Sequence, residues 1–350
     1  MPSKSKSAVS SLDLELATKA VLNSIERERE QEIISRRFGL FDRKETLEQI
    51  GEFLGITRER VRQLEKVVVT KLKTSAANGS LQSIIDVDKE ILDILSRNGN
   101  VMRVSALAGL LSKNGDKVDQ ARIGFLSELS PRLSVIEESD HFYYSVGSKE
   151  ANDEKKIREL SNKIVEIIKK MGVPVEIEKV ANQLKDTDAT HIASLASTSK
   201  HLAQLNGQWG LTKWPTVNPR NIRDKIYVIL KENQKHMHFN DIAEAIKISE
   251  FKRKDVTTQA IHNELIKDKR FVLIGRGIYA LSEWGYKKGT VADTISEILA
   301  EAGEALHRDE IVKRVLKHRF VKETTILLNL QGKNQFKRVA KATYALEDLS

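Results

Sequence analysis

The chain has 350 residues, 58 basic and 49 acidic side chains for a formal net charge of +9, five prolines and no cysteine. The lack of thiols excludes a disulfide framework, Cys-ligated zinc and a cysteine nucleophile, and it fits a reducing intracellular setting. No apolar run approaches the roughly 20 residues of a membrane helix, and residues 1–6 lead into no signal-peptide core, so a cytoplasmic protein without a membrane partner is expected.

In chain order, residues 1–16 read as a flexible N-terminus and residues 17–75 as several helices with one tight turn. Thr46-Leu47-Glu48-Gln49 is a capping-box pattern, so a helix starts there, with Leu47, Ile50, Phe53 and Leu54 on one face and a stop near Gly55. Thr57 then caps a second helix that runs to about Lys73, with Val61, Leu64, Val68 and Leu72 as its buried stripe. On the opposite face Arg58, Arg62 and Lys66 lie four apart, and Glu59 and Gln63 lie four apart beside them. Arginine matches guanine, glutamine matches adenine, and glutamate accepts from cytosine N4. A solvated helix laced with i,i+4 salt bridges has a similar composition. The Gly-turn-Thr context and the first-turn placement favour DNA readout, since helix-turn-helix proteins read bases with the start of their second helix.

The remainder repeats at about 60–70 residues, in units at 81–147, 153–214, 219–286 and 289–348. Each has helical apolar patterns followed by a β-type stretch carrying an aromatic: Phe142, Trp209, Tyr279 and Tyr344. Three short helices and a hairpin is the plan of a winged helix, where such aromatics pack back from the wing; they can equally be plain core. Polar breaks at 75–80, 147–153, 214–219 and 287–289 separate the units. The expected fold class is mainly α with small β wings: one helix-turn-helix followed by about four tandem winged-helix units.

Charge is uneven along the chain. Residues 81–150 carry a net −3, whereas residues 216–288 carry 15 basic and 9 acidic side chains. In that third unit Phe239, Ile242, Phe271, Leu273, Tyr279, Leu281 and Trp284 read as interior. Lys252, Arg253 and Lys254 precede a helix expected over 256–267, with Lys269, Arg270 and Arg276 near the wing. Such cations either form a solvated basic surface or neutralise phosphates, each contact adding about 0.9 to the salt slope of DNA binding. Lys333, Lys337, Arg338 and Lys341 are a weaker version in the fourth unit.

Catalytic signals are poor. There is no Gly-x-x-x-x-Gly-Lys loop, no Gly-x-Ser-x-Gly elbow and no His pair at metal spacing on an expected helix. His236 and His238 read as surface or capping residues, and Asp153-Glu154-Lys155-Lys156 as a charge run in a linker. No enzyme, cofactor or metal is expected.

Two resemblances add to this. Gln31-Glu32-Ile33-Ile34-Ser35-Arg36-Arg37-Phe38-Gly39-Leu40, Thr46-Leu47-Glu48-Gln49-Ile50-Gly51 and Thr57-Arg58-Glu59-Arg60-Val61-Arg62-Gln63-Leu64-Glu65 resemble region 4 of primary bacterial sigma factors. That family reads the −35 promoter element with this motif and docks on the flap of the polymerase β subunit. The resemblance implies base contacts from Arg58, Glu59 and Gln63, and phosphate contacts from Thr57, Arg60, Arg62 and Lys66. Nothing in the chain resembles the aromatic-bearing sigma region that melts the −10 element. His238-Phe239-Asn240-Asp241-Ile242-Ala243 with residues 270–284 is similar to the HARE-type winged helix of the RNA polymerase delta subunit, without delta's acidic tail. The partners implied are double-stranded DNA and core RNA polymerase, and the localisation is cytoplasmic and nucleoid-associated. The expected function is a DNA-binding transcription factor acting in initiation or its regulation. The alternative is a polymerase-binding adaptor that competes with sigma for the flap without reading DNA.

Overall fold

The computed structural model describes residues 12–112, 115–151, 153–184, 188–251, 253, 255–286 and 288–347. The chain divides into two compact units, one reaching to Lys213 and one starting at Trp214. It is mainly helical with small antiparallel sheets. No helix among the described residues is long and apolar enough to cross a membrane.

The first unit opens with α1 (Leu14–Asn23), α2 (Glu28–Phe38), α3 (Leu47–Leu54) and α4 (Arg58–Ala77). Most of the stretch expected to be flexible, residues 1–11, lies outside the described residues, but its end is ordered by a cap. The Asp13 carboxylate accepts from the N–H groups of Glu15 and Leu16, at 3.0 Å each. The capping box at α3 forms in full: Thr46 Oγ1 accepts from Gln49 N at 3.3 Å, and Gln49 Oε1 accepts from Thr46 N at 2.9 Å. Gly55 then takes φ +66°, and Thr57 Oγ1 accepts from Arg60 N at 3.2 Å to start α4. Gly51 allows the turn to close on α3, since a Cβ there would lie 2.7 Å from the Ile56 carbonyl oxygen. Ile33, Ile50 and Val61 form the small buried centre of this three-helix arrangement. Phe53, expected on the buried face, is exposed instead, with the Arg36 guanidinium 3.7 Å from its ring centroid.

Four repeats follow with one plan: helix, strand, helix, helix, strand, strand. The first has α5 (Gln82–Arg97), β1 (Val101–Arg103), α6 (Val104–Leu111), α7 (Lys117–Leu129), β2 (Leu133–Ile136) and β3 (Ser145–Ser148). The second has α8 (Glu154–Met171), β4 (Val175–Glu176), α9 (Ile177–Leu184), α10 (Ala189–Thr198), β5 (Leu202–Leu205) and β6 (Gln208–Leu211). In the second unit come α11 (Ile222–Asn233), β7 (Met237–His238), α12 (Phe239–Ile248), α13 (Thr258–Lys267), β8 (Phe271–Gly275) and β9 (Ile278–Leu281). The last repeat is α14 (Val291–Ala302), β10 (Leu306–His307), α15 (Arg308–His318), α16 (Glu323–Gly332), β11 (Phe336–Ala340) and β12 (Thr343–Leu346). In every sheet the last strand lies in the centre, antiparallel to both neighbours. The strand between the first two helices of each repeat reads as a mere break in the sequence, because two or three residues are too few to show alternation.

Packing within the first unit ignores the polar break at residues 75–80. Ser75, Ala76 and Ala77 belong to α4, and Ala76 is buried. One core runs from Leu14, Val21 and Leu22 of α1, through Val68 and Leu72 of α4, to Ile84, Ile91, Leu107, Phe125 and Leu126 of the first repeat. Asp153, expected in a linker, caps α8 by accepting from Lys156 N at 2.8 Å.

In the second unit the third and fourth repeats are joined by Arg319, only 5% exposed. Its guanidinium donates to the Leu273 carbonyl at 2.7 Å, to Thr294 Oγ1 at 3.1 Å and to the Gly289 carbonyl. Beside it, Phe320 N donates to the Ile274 carbonyl at 2.9 Å, which extends the edge of β8. Of the residues expected inside the third repeat, Ile242, Phe271, Tyr279 and Leu281 are buried, and Phe239 and Trp284 are half-buried. Leu273 is exposed, because along β8 it is Val272 and Ile274 that turn inward.

Candidate nucleic-acid interface

The local chemistry that starts α4 also displays its first turns. Gly55 ends α3 in the left-handed conformation, Thr57 holds the first N–H groups of α4, and Val61 and Leu64 of α4 turn toward Ile33 of α2 and Ile50 of α3. What remains outward is the expected set: Thr57, Arg58, Glu59, Arg60, Arg62, Gln63 and Lys66 are all exposed. The structure brings six of these side chains into one stretch, and Thr57 is occupied as the cap.

The side chains on this face are tied to each other by exposed polar contacts. Arg62 meets Glu59 through two parallel bonds, Nε to Oε2 at 2.8 Å and Nη2 to Oε1 at 2.7 Å. Gln63 Nε2 donates to Glu59 Oε1 at 3.5 Å, and Arg60 Nη1 donates to Gln63 Oε1 at 3.3 Å. The Arg62 hydrogen bonds hold the Glu59 carboxyl below the usual carboxylate range, and in return Glu59 raises the Arg62 guanidinium. Arg58 Nη1 reaches back to Glu48 Oε1 on α3 at 2.7 Å. These pairs are solvated, so they hold the face in order without much resistance to exchange for base edges or phosphates.

Sequence reasoning missed the groups that fix this helix. Glu48 is ten positions from Arg58 and on another helix, outside any i,i+4 pattern. Arg37 of α2 donates through Nε to both oxygens of Glu65 on α4 at 3.2 Å, and Arg29 Nη2 donates to the Leu54 carbonyl at 2.6 Å. Together they fasten the α2–α3–α4 arrangement from its rim.

The second expected cluster is less coherent. Lys252 and Lys254 lie outside the described residues. Arg253 and Arg276 are exposed, the latter in the β8–β9 turn. Arg253 is held through its backbone, with φ +57° and a carbonyl that accepts from Lys225 Nζ at 2.6 Å. Arg270 is withdrawn from the cluster by Asp268 at 2.7 Å and Asp224 at 3.2 Å. His238 caps α12, its Nδ1 accepting from Asn240 N at 3.3 Å. Among the described residues no group of three or more His, Cys, Asp or Glu side chains is placed to hold a metal ion.

Residues 27–74, which span α2 to α4, match the family described as Sigma-70, region 4. Over 58 residues the chain is 47% identical to the RNA polymerase sigma factor sigB of Arabidopsis thaliana, covering 16% of this chain and 10% of that protein. It is 45% identical over 64 residues to the RNA polymerase sigma factor RpoD of Helicobacter pylori, covering 18% of this chain and 9% of that protein. The chain thus matches about a tenth of the length of these curated relatives.

Proposed function

We propose that the protein is a DNA-binding transcription factor that associates with bacterial-type RNA polymerase and reads a −35-like promoter element through α4. The observation that carries this reading is the exposed face of a Thr-capped second helix, in a segment that matches sigma-70 region 4, presenting Arg58, Glu59 and Gln63 from its first two turns. Arg58, Glu59 and Gln63 contact base edges, and Arg60, Arg62 and Lys66 contact phosphates, with Thr57 holding the helix start and adding its exposed edge. Region 4 of the sigma relatives also motivates docking on the β flap, and with it a cytoplasmic, nucleoid-associated site of action. The four repeats are winged helices in this reading, the third of HARE type; their shared order of elements and central third strand support it. In this reading the chain acts by binding.

An adaptor role for part of the molecule has one observation in its favour. The third helices of the first two repeats, α7 and α10, are largely buried, which suits repeats that hold or dock rather than read. The two roles separate on one experiment, a promoter footprint by the full chain at physiological salt. Arg58→Ala with Gln63→Ala is expected to remove the footprint, at about 1–3 kcal/mol per base contact. An unchanged footprint overturns DNA reading by α4, and retention of polymerase subunits on the tagged variant then leaves the adaptor role.

A further inference from the structure

The third helices of the four repeats differ in what covers them. In the first repeat α7 is enclosed: Arg122, Ile123, Phe125 and Leu126 are buried, and Phe38 of α2 packs on Phe125 with ring centroids 4.8 Å apart. In the second, α10 lies against the turn that precedes β1. Ser194 Oγ donates to the Gly99 carbonyl at 2.7 Å, and His191 Nδ1 lies 2.5 Å from the same oxygen. A duplex groove cannot receive α7 without opening the first unit's core, or α10 without breaking its contacts to the Gly99 turn.

In the second unit the corresponding helices are open. On α13 only Ile261 and Leu265 are buried, and on α16 only Ile326 and Leu330. Their outward chemistry is different. Thr257 caps α13 by accepting from Ala260 N at 3.2 Å, as Thr57 caps α4 by accepting from Arg60 N at 3.2 Å. Counted from those caps, Gln259 and Asn263 stand at the helical positions that Glu59 and Gln63 hold on α4. The same count on α16, from Lys322, gives Thr324 and Leu328, the latter 68% exposed and without a polar group to offer.

Gln259 Nε2 donates to Asn263 Oδ1 at 3.1 Å, which aligns the two amides along one stripe and leaves an acceptor on Gln259 and donors on Asn263. Adenine presents N7 as acceptor and the N6 amino group as donor in the major groove, the complement of such a pair. Ile266 is next on the stripe, 61% exposed, and an exposed apolar side chain there suits the thymine methyl group. The one carboxylate of the helix, Glu264, is drawn to Arg223 at 3.9 Å. Arg253, Lys267, Lys269 and Arg276 are exposed and make no ion pair with another described residue. This is the segment that carries 15 basic and 9 acidic side chains, so its charge complements a polyanion.

We propose that α13 is a second DNA-reading helix, entering the major groove of duplex DNA and preferring A·T pairs through Gln259, Asn263 and Ile266, with Lys269 and Arg276 on flanking phosphates. The proposal rests on the reading of the chain as a DNA-binding factor, but it uses a different helix from the one that carries that reading.

The test uses the full chain and two short duplexes of equal length, one A·T-rich and one G·C-rich, by fluorescence anisotropy over a salt series. Wild type is expected to favour the A·T duplex. Gln259→Ala with Asn263→Ala is expected to weaken A·T binding about ten-fold or more while leaving G·C binding and the salt slope unchanged. Lys269→Ala with Arg276→Ala is expected to weaken both duplexes and lower the slope by about 0.9 per lost phosphate contact. Circular dichroism of these exposed-site variants is expected to match wild type. No A·T preference in wild type, or a preference that survives in the Gln259/Asn263 variant, overturns the proposal. If Arg58→Ala with Gln63→Ala abolishes the preference and the α13 variant does not, base reading belongs to α4 alone. If that α4 variant keeps its promoter footprint while the α13 variant loses A·T preference, the α4 reading fails and the second site stands.

Discussion

Arg122 of α7 donates through Nε to the Leu40 carbonyl at 2.9 Å, across 82 positions of sequence. The same guanidinium meets Glu15 of α1 at 3.0 Å and Asp119 at 3.2 Å, so a buried cation of the first repeat satisfies the turn that leaves α2. Arg122→Ala strands that carbonyl, leaves Asp119 without its arginine and leaves Glu15 with Lys19 alone. A loss of about 2–3 kcal/mol in urea unfolding is expected, with the helix-turn-helix and the first repeat losing structure together. Two separated transitions would contradict a common core.

The shared core sharpens this. Leu14, Val21, Leu22, Val68 and Leu72 are covered by the first repeat. A fragment ending at Ala77 would leave them in water, so it is expected to show weak helicity and no cooperative melt, whereas a fragment ending at residue 150 melts cooperatively. Circular dichroism on the two fragments checks it.

Two glycines of the α3–α4 turn separate space from backbone conformation. At Gly51 a Cβ would sit 2.7 Å from the Ile56 carbonyl oxygen, while Gly55 has φ +66° and open space around it. Gly51→Ala forces the two helices apart and is expected to weaken both stability and DNA binding, by about 1–3 kcal/mol in stability. Gly55→Ala meets only left-handed strain, about 1–2 kcal/mol, and leaves the helix placement unchanged, so affinity measured under folded conditions is retained. Equal losses of affinity in both would show that helix spacing is not what the first substitution alters.

Much of α4 and of the turn before it was legible because the determinants are local. The capping box at Thr46, the turn at Gly55 and the cap at Thr57 each act within four residues, and the α4 stripe repeats at helical spacing. What could not be read depends on distant contacts. Phe53 fits an apolar stripe by spacing, yet α3 is too short and too peripheral to bury it, and Arg36 covers its ring instead. Arg270 counts as a free cation in the sequence, but folding brings Asp224 to it across 46 positions. The burial of α7 and α10 has no local mark either: nothing in residues 117–129 or 189–198 says that α2 or the Gly99 turn will cover them.

Asp88 gives a pH-dependent prediction. The side chain lies in α5, 3% exposed, and its Oδ1 has no hydrogen-bond partner among the described residues. Burial raises its carboxyl above the ordinary aspartate value, with Ser130 and Arg132 offsetting part of the rise. A carboxyl raised in the folded state favours folding while protonated, and that advantage is lost as pH climbs from its unfolded value through the raised one. At neutral pH the charged form is therefore a net cost of folding. Asp88→Asn is expected to raise the urea midpoint at pH 7, with the gain shrinking as pH falls toward about 4. A destabilised variant at pH 7, or a gain that does not depend on pH, would show that the burial penalty is not the dominant effect at this position.

Arg319 tests the second unit in the same manner but with a sharper readout. Its guanidinium serves Leu273 of β8, Thr294 of α14 and the Gly289 carbonyl at once, and the adjacent Phe320 backbone extends the β8 edge. Arg319→Ala leaves the buried Thr294 hydroxyl and two part-buried carbonyls, spread over two repeats, without their donor, a loss of about 1–3 kcal/mol. Lysine at that position reaches at most one of the three, since it lacks the planar fork, so Arg319→Lys is expected to recover only a minor part. Hydrogen exchange gives the location: the Phe320 amide bonded to Ile274 should lose protection together with β8, while α7 and α10 in the other unit keep theirs. Protection lost evenly across the whole chain would mean that Arg319 acts on global stability and does not join these two repeats.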